Sequence, residues 1–203
     1  MQVPSRNNLR SATLLLRKGG VGILATDTIY GVVGSALKPK TVARIYRLRK
    51  RSLKKPMIIL IGSVRDLKKF GIVPSLAAQK ILKRFWPGLA PRSQGDFSGP
   101  VSIILDLPQR ANIVRQFRYL HRGTGTLAFR LPKPVWLRKL LARTGPLVAP
   151  SANWEGHPPA KTIAGAQRYF GTRVDFYIDS GPRRGKPSKL VQIKAEKAVV
   201  LRA

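Results

Sequence analysis

The architecture follows from residues 21–61, which read VGILATDTIYGVVGSALKPKTVARIYRLRKRSLKKPMIILI. The apolar run Val21–Ala25 predicts a short strand, and the Thr26-Asp27-Thr28 that follows it is typical of a loop. Pro39 favours the start of a helix because its fixed backbone angle suits the first helical position. Residues 57–61 are wholly apolar and few, which predicts a strand buried on both faces. Strand, loop, helix and strand therefore follow one another.

The helix that begins at Pro39 carries two different faces. Val42, Ile45 and Tyr46 form an apolar stripe that Arg49 continues one turn later. The opposite stripe is basic and consists of Lys40, Arg44, Arg47 and Arg51. In a chain with 39 basic residues, the pair Arg49 and Arg51 is by itself more often part of a solvated face than a binding site.

The rest of the chain continues to interleave helical and strand patterns. Helices are predicted at residues 7–18, 64–70, 76–86, 135–141 and 162–170. Strands are predicted at residues 101–105, 126–129, 147–149, 175–178, 190–193 and 198–201. Residues 89–100, LAPRSQGDFSGP, have the composition of an exposed loop. We expect an α/β (α+β) fold with one domain over residues 1–203, in which helices flank a mixed, twisted open sheet.

Charge is the most unusual property of the composition. The 203 residues include 39 Lys and Arg against 8 Asp and Glu, which gives a formal net charge of +31. Such a field attracts polyanions, of which nucleic acid is the commonest, although a generally basic compartment is an alternative explanation. The chain has no cysteine, which excludes disulfides, Cys-ligated zinc, iron–sulfur clusters and thiol nucleophiles.

Two sequence features bear on location. No apolar run approaches the about 18 to 20 residues that span a bilayer, so we expect a soluble, cytoplasmic protein without a membrane partner. Residues 1–20 are basic, lack acids and include Ser5 and Ser11, as in an organellar transit peptide. The same segment runs directly into the first strand, as a core helix does, and we favour that interpretation.

Common catalytic templates are absent. His121 and His157 each stand alone, and we expect both on the surface or in loops. The acids form no close pair, and the glycine-rich segments do not fit a phosphate-binding loop. What remains is a set of arginine, hydroxyl and amide residues in the loops after apolar strands. Guanidinium forks grip phosphate or carboxylate oxygens, so this set suits phosphoryl or nucleotidyl chemistry.

Several segments, in order, resemble one known family. They are ATDTIYGVVGSAL, IYRLRKRSLKKPMIIL, FWPG, VSIIL, LAFRLP, LVAPSANWEGHPPAKT and IDSGPRRGKPSKLV. Together they are similar to the YrdC/TsaC family, the threonylcarbamoyl-adenylate synthases. The resemblance implies a YrdC-like sheet domain with a large concave cavity. It also implies an enzyme that makes threonylcarbamoyl-AMP and pyrophosphate from L-threonine, bicarbonate or CO2, and ATP.

The resemblance also implies partners and site residues. The product would feed the formation of N6-threonylcarbamoyladenosine in tRNA, and the partners would be tRNA or double-stranded RNA and other proteins of that modification machinery. Mg²⁺ would bridge the ATP phosphates with few protein ligands and no protein metal site. The implied catalytic, ATP-binding tetrad is Arg49, Arg51, Ser151 and Asn153, with Ser188 also at the nucleotide. The implied threonine-side residues are Thr26, Thr28, Tyr30, Ser102 and Arg130.

The chain departs from the family pattern at several positions. Arg49 stands where the family has lysine, Leu60 where some relatives have a threonine-binding histidine, and Glu155 where they often have serine. Lys189 replaces the second residue of a Ser-Thr pair, and residues 89–100 split a conserved Pro-Gly segment. Two alternatives therefore stay open. One is a catalytically divergent RNA-binding protein, and the other is a carbamoyl-adenylate domain that serves a different acceptor.

Overall fold

A computed structural model describes residues 5–86 and 99–202. The strands are β1 (Val21–Ala25), β2 (Tyr30–Ser35), β3 (Ile59–Leu60), β4 (Val101–Asp106), β5 (Thr126–Arg130), β6 (Leu147–Val148), β7 (Phe176–Ile178), β8 (Lys189–Lys194) and β9 (Lys197–Arg202). The α-helices are α1 (Arg6–Lys18), α2 (Pro39–Leu48), α3 (Leu76–Phe85), α4 (Ala111–Gln116), α5 (Arg118–His121), α6 (Val135–Thr144) and α7 (Ile163–Phe170). Short 3-10 helices span Val64–Phe70 and Gly171–Arg173.

The strands form one sheet in the order β7-β1-β2-β6-β3-β5-β4-β8-β9. The pairs β1–β7, β3–β5 and β4–β8 are parallel, and the other neighbours are antiparallel. The predicted α/β fold, a mixed sheet flanked by helices, is confirmed. The sheet extends from β7, beside the β1–β2 hairpin, to the β8–β9 hairpin, which places residues far apart in sequence along one surface.

Each face of the sheet has its own hydrophobic core, because successive side chains of a strand point to opposite faces. On β1, Ile23 packs with α2 and the helices on its side, whereas Leu24 packs with α1 and α6. Helix α1 buries Ala12 and Leu16 in the second core. The N-terminal segment is therefore a core helix, which is the interpretation that the sequence favoured.

Strand β2 (Tyr30–Ser35) was not predicted, since the sequence pattern placed no strand between Ala25 and Pro39. Gly31 and Gly34 weaken the strand signal of this segment, because glycine rarely favours strands. The structure explains Gly34 by close packing, since a Cβ there would lie 2.5 Å from Cγ2 of Thr41 on α2. The hairpin turn therefore consists of residues 26–29 only.

Other boundaries also differ from prediction. The strand predicted at residues 57–61 is paired only at Ile59–Leu60, and residues 64–70 form a 3-10 helix rather than an α-helix. Residues 87–98, which include most of the predicted loop at 89–100, lie outside the described residues. Within residues 5–86 and 99–202, no helix has the length and apolar character needed to cross a membrane.

His121 is not on the surface, and this expectation was wrong. Its side chain is buried, and Nε2 lies 2.9 Å from the carbonyl oxygen of Val114. Nδ1 accepts a hydrogen bond from the amide of Gly123 at 3.0 Å, so the ring proton belongs on Nε2. The imidazole thus links α4 to the turn that leads into β5. His157, in contrast, is exposed in a loop as expected.

Candidate active site

A cavity of about 470 Å³ opens between the β1–β2 turn, the segment after α2 and the strands β4, β5, β8 and β9. It brings together eight of the residues that the resemblance implied: Thr26, Thr28, Tyr30, Arg49, Arg51, Arg130, Ser151 and Ser188. Ser102 and Asn153 are buried beside this group without lining the cavity. The predicted site residues are therefore clustered, and two of them lie behind the cavity wall.

Arg49 is the most buried cation of the tetrad, with 3% of its surface exposed. Its Nη2 donates to Oγ of Ser151 and to Oδ1 of Asn153, both at 3.1 Å, and its Nε donates to the carbonyl oxygen of Asn153. Burial, with a smaller effect of Arg51, lowers the pKa of Arg49 to about 10. The guanidinium still carries its charge at neutral pH, and its Nη1 has no partner among the described residues.

The side-chain oxygen and nitrogen of Asn153 are both already hydrogen-bonded within the protein. While Oδ1 accepts from Arg49, Nδ2 donates to the carbonyl oxygens of Trp154 and His157, both at 2.7 Å. An amide can make few further bonds once both its donors and its acceptor are engaged. Asn153 therefore orients Arg49 and closes the turn after β6, and Ser151 is the member of this pair that faces the cavity.

Arg51 lies beyond the end of α2, so its assignment to the basic stripe of this helix is wrong. The helix stops at Leu48, and Lys50 adopts a left-handed conformation with φ of 51° that turns the chain. Arg51 then donates to the carbonyl oxygens of Lys55 and Pro56 and lines the cavity. Lys50 points away, with Nζ 3.9 Å from the ring centroid of Trp154.

The β1–β2 turn is fixed by its own threonines and by a distant loop. The hydroxyls of Thr26 and Thr28 lie 2.8 Å apart. The hydroxyl of Tyr30 lies 2.9 Å from Oδ1 of Asp179 and accepts from the amide of Ser180. Burial raises the pKa of Tyr30, and the Tyr30 hydroxyl lowers the pKa of Asp179. The turn is thereby tied to the loop after β7.

Arg130 and Asp27 form a buried ion pair at the edge of the cavity. Nη2 of Arg130 lies 3.1 Å from Oδ1 of Asp27, and the two side chains are 4% and 5% exposed. Burial lowers the pKa of Arg130, and the carboxylate of Asp27 opposes this shift. Because Nε of Arg130 has no partner within the described part of the chain, this guanidinium retains a donor for a ligand.

Sequence analysis missed Arg202. Its Nε and Nη2 donate to the carbonyl oxygen of Ser188 at 3.2 and 2.7 Å, and its side chain lines the cavity. The hydroxyl of Ser188 in turn lies 2.8 Å from that of Ser102 on β4. A basic residue in the last strand carries no signal in a chain with 39 of them. Only the antiparallel pairing of β8 with β9 shows that Arg202 reaches the site.

The cavity is strongly cationic. Four arginines line it (Arg49, Arg51, Arg130 and Arg202), and the lining residues that the structure describes include no carboxylate. Apolar side chains such as Met57, Ile58 and Ile104 form other parts of the wall. This combination suits a ligand with several anionic groups and an apolar portion. Leu60, where some relatives carry histidine, is fully buried in the second core and does not line the cavity.

Comparisons with known proteins show the family of this chain. The profile of the Sua5/YciO/YrdC family, described as "Telomere recombination", matches residues 14–203. The chain belongs to the Sua5/YciO/YrdC family. The threonylcarbamoyl-AMP synthase of Halorhodospira halophila is 31% identical over 172 residues, which cover 84% of this chain and 81% of that one. The synthase of Thiobacillus denitrificans is 30% identical, with 93% and 91% covered.

A solved member of the family shows the same fold. Sua5 of Pyrococcus abyssi in complex with L-threonine superposes with a TM-score of 0.79 at 28% identity. The match covers 96% of this chain and 53% of that protein. The chain thus spans about half the length of this archaeal member of the Sua5/YciO/YrdC family.

Proposed function

We propose that this protein is a threonylcarbamoyl-AMP synthase, a nucleotidyltransferase that uses L-threonine, bicarbonate and ATP. The convergence of Arg49, Arg51 and Ser151 in one cationic cavity is the observation that carries the proposal. Family membership and relatives of that name that match most of the chain support it. Bicarbonate loses hydroxide, which leaves as water with a proton, and the threonine amine bonds to the resulting CO2 and releases a proton to form a carbamate. An oxygen of this carbamate attacks the α-phosphorus of ATP, the bond from this phosphorus to the bridging β-phosphate oxygen breaks, and pyrophosphate leaves.

Each substrate has complementary groups in the cavity. Arg49, Arg51 and Arg202 bind the triphosphate and stabilise the charge that develops at the α-phosphorus. Ser151 hydrogen-bonds the reacting oxygens, and Asn153 acts through Arg49. The amino acid lies among Thr26, Thr28, Tyr30 and Arg130, and its carboxylate binds the guanidinium of Arg130; that all four line the cavity supports this assignment. Ser188 faces the nucleotide, and the buried Ser102 supports it.

Mg²⁺ belongs to the substrate in this proposal. The described residues contain no group of three or more His, Cys, Asp or Glu side chains that could hold a metal ion. The donors at the cavity are hydroxyls and guanidinium groups, which fit a phosphate-bound magnesium better than a protein-ligated one. The ion therefore enters with ATP and neutralises part of its charge.

We propose tRNA or double-stranded RNA as a further partner. The net charge of +31 supports it, because cation–phosphate contacts release counterions and favour binding. Other proteins of the tRNA-modification machinery, a single domain over residues 1–203 and a cytoplasmic location are further parts of the proposal. A polyanion-binding protein without catalysis would share this charge, so activity and RNA binding need separate measurements.

The assay is the release of pyrophosphate from MgATP and bicarbonate in the presence of each amino acid in turn. We expect release that depends on threonine and that Arg51→Ala reduces by about 100-fold, as for a donor that stabilises the transition state. Arg65→Ala is the matched control, because Arg65 is exposed and does not line the cavity. No release with any amino acid, beside RNA binding that weakens steeply with salt, would favour the RNA-binding alternative.

A further inference from the structure

Two loops that carry cavity residues are joined by one carboxylate. The first loop, residues 49–56, contains Arg49 and Arg51, and the second, residues 151–157, follows β6. The amide of Glu155 donates to the carbonyl oxygen of Arg49 at 2.8 Å. Its Oε2 accepts from the amide of Ser52 and its Oε1 from Nζ of Lys55, both at 2.6 Å. Glu155 thus contacts the first loop at its start, its middle and its end.

These contacts bear directly on the orientation of Arg51. The guanidinium of Arg51 is held by the carbonyl oxygens of Lys55 and Pro56, so its direction depends on the conformation of residues 52–56. The middle of this loop is exposed to solvent (Ser52, Leu53, Lys54 and Lys55), and 59% of the surface of Leu53 is accessible. A loop that buries so little apolar surface depends on its hydrogen bonds for order.

The charge of Glu155 also matters in this loop. Five cations (Arg49, Lys50, Arg51, Lys54 and Lys55) occur within seven residues, and like charges at this spacing repel one another. The hydrogen bond from Lys55, followed by that from the Ser52 amide, holds the pKa of Glu155 below its usual value. The carboxylate is therefore ionised at neutral pH and offsets part of the repulsion.

We propose that Glu155 is a positioning residue for ATP binding, because it holds the loop 49–56 in the conformation that directs Arg51 into the cavity. It does not line the cavity itself, and it acts through Ser52 and Lys55. The inference rests on the proposed function insofar as ATP is the ligand of Arg51. Because the loop holds the phosphate side of the cavity, ATP affinity is the property that Glu155 controls, and threonine affinity is not.

Three variants test separately the hydrogen bonds, the charge and the ion pair of Glu155. Glu155→Ala removes both hydrogen bonds, and Glu155→Gln keeps an oxygen for the Ser52 amide but loses the charge. Lys55→Met removes the ion pair from the other side. Lys69→Met is the matched control, since Lys69 forms a 2.7 Å ion pair with Asp66 on the 3-10 helix and does not line the cavity.

The measurements are the Kd for MgATP by calorimetry, the KM values of both substrates, and hydrogen exchange of the Ser52 amide. For Glu155→Ala we expect the Kd and KM for ATP to rise about tenfold, because the loss of both hydrogen bonds frees the loop and costs Arg51 about one charge-assisted hydrogen bond to ATP. We expect the KM for threonine to change less than about twofold, because changes at separate sites have nearly independent effects. The Ser52 amide exchanges faster in Glu155→Ala and is slowed again in Glu155→Gln.

An unchanged Kd for ATP in folded Glu155→Ala, or an equal change in Lys69→Met, would overturn the inference. If Glu155→Ala does not fold, Glu155→Gln and Lys55→Met carry the same test, with about a threefold rise in Kd expected for each. Failure of the proposed function has a different signature. Wild-type protein that binds ATP but releases no pyrophosphate with threonine contradicts the function and leaves the positioning role measurable.

Discussion

The side chain of Arg49 donates hydrogen bonds to both the main chain and the side chain of Asn153. Nε reaches the carbonyl oxygen and Nη2 reaches Oδ1, each at 3.1 Å, and both residues are buried. The end of α2 and the turn after β6 are thereby fixed to each other, although about 100 residues of chain separate them. The cationic side of the cavity depends on this contact.

The first prediction concerns Arg49 itself. In Arg49→Lys, an ammonium near the position of Nη2 can still donate to Ser151 and to Oδ1 of Asn153, and only the bond from Nε is lost. We expect pyrophosphate release within about tenfold of the wild type for Arg49→Lys and a loss of about 100-fold for the neutral Arg49→Met. Equal loss in both variants would mean that guanidinium geometry, rather than charge, is required.

The second prediction tests the loop after β7. A Cβ added at Gly185 would overlap the carbonyl oxygen of Thr28, whereas one at Gly99 would meet nothing within 4 Å. Gly185→Ala must therefore displace either the loop or the threonine-side turn. We expect the KM for threonine to rise at least about tenfold in Gly185→Ala, because a misplaced site loses productive geometry. Gly99→Ala should leave steady-state kinetics unchanged, and kinetics alike in the two variants would refute the contact.

The third prediction compares a buried ion pair with an exposed one. Asp27→Asn leaves the buried guanidinium of Arg130 without its counter-charge. We expect the free energy of unfolding to fall by about 3 to 5 kcal/mol. Asp175→Asn breaks the exposed pair with Arg44 and should cost about 1 kcal/mol. Urea unfolding of both variants provides the measurement, and equal losses would contradict the difference in burial.

The fourth prediction concerns Arg202. With two of its donors engaged by Ser188, its remaining amino group is available to a ligand in the cavity. Arg202→Ala should raise the Kd for MgATP about tenfold, which is typical of losing one hydrogen bond between charged groups. Lys197→Ala is the control, because Lys197 is exposed on the same strand and does not line the cavity. If both variants weaken binding equally, the effect is one of general charge.

The fifth prediction is a pH dependence. Burial raises the pKa of Tyr119 to about 12, and its hydroxyl donates to the carbonyl oxygen of Ala36 at 2.8 Å. Between about pH 10 and 12 the folded protein keeps this proton while the unfolded chain loses it, so stability falls as pH rises through that window. Tyr119→Phe should show a shallower alkaline fall, by at most about 2 to 3 kcal/mol. Tyr169→Phe, which alters an exposed hydroxyl, should follow the wild type.

Sequence patterns sufficed for the fold class and for most elements. The apolar runs around Ile23 and Ile103 and the helical stripe of α2 are local signals, and local signals predict local structure. Strand β2 was not predicted from the sequence, because Gly31 and Gly34 weaken its strand pattern. These glycines allow close packing that exists only in the tertiary structure. The burial of His121 was not predicted either, because its partners, the carbonyl oxygen of Val114 on α4 and the amide of Gly123, meet its ring only when residues 114–123 fold.

The resemblance predicted which residues belong to the site, but not how their side chains are arranged. The resemblance pointed to Arg49, Arg51, Ser151 and Asn153, and the structure brings them together. That Asn153 stands behind Arg49 is a matter of side-chain direction, which no spacing rule conveys. Arg202 and Glu155 reach the site area through strand pairing and a turn contact, and neither leaves a local pattern in so basic a chain.

The hydrogen bonds from Tyr30 to the loop at Asp179 and Gly181 connect residues almost 150 positions apart. A nascent chain can pair β1 with β2 early, but the loop that bonds Tyr30 is synthesised about 150 residues later. This side of the cavity is therefore completed only after β1 to β7 have been synthesised. Shortened products that stop before residue 179 would retain the hairpin and lack the means to hold it closed.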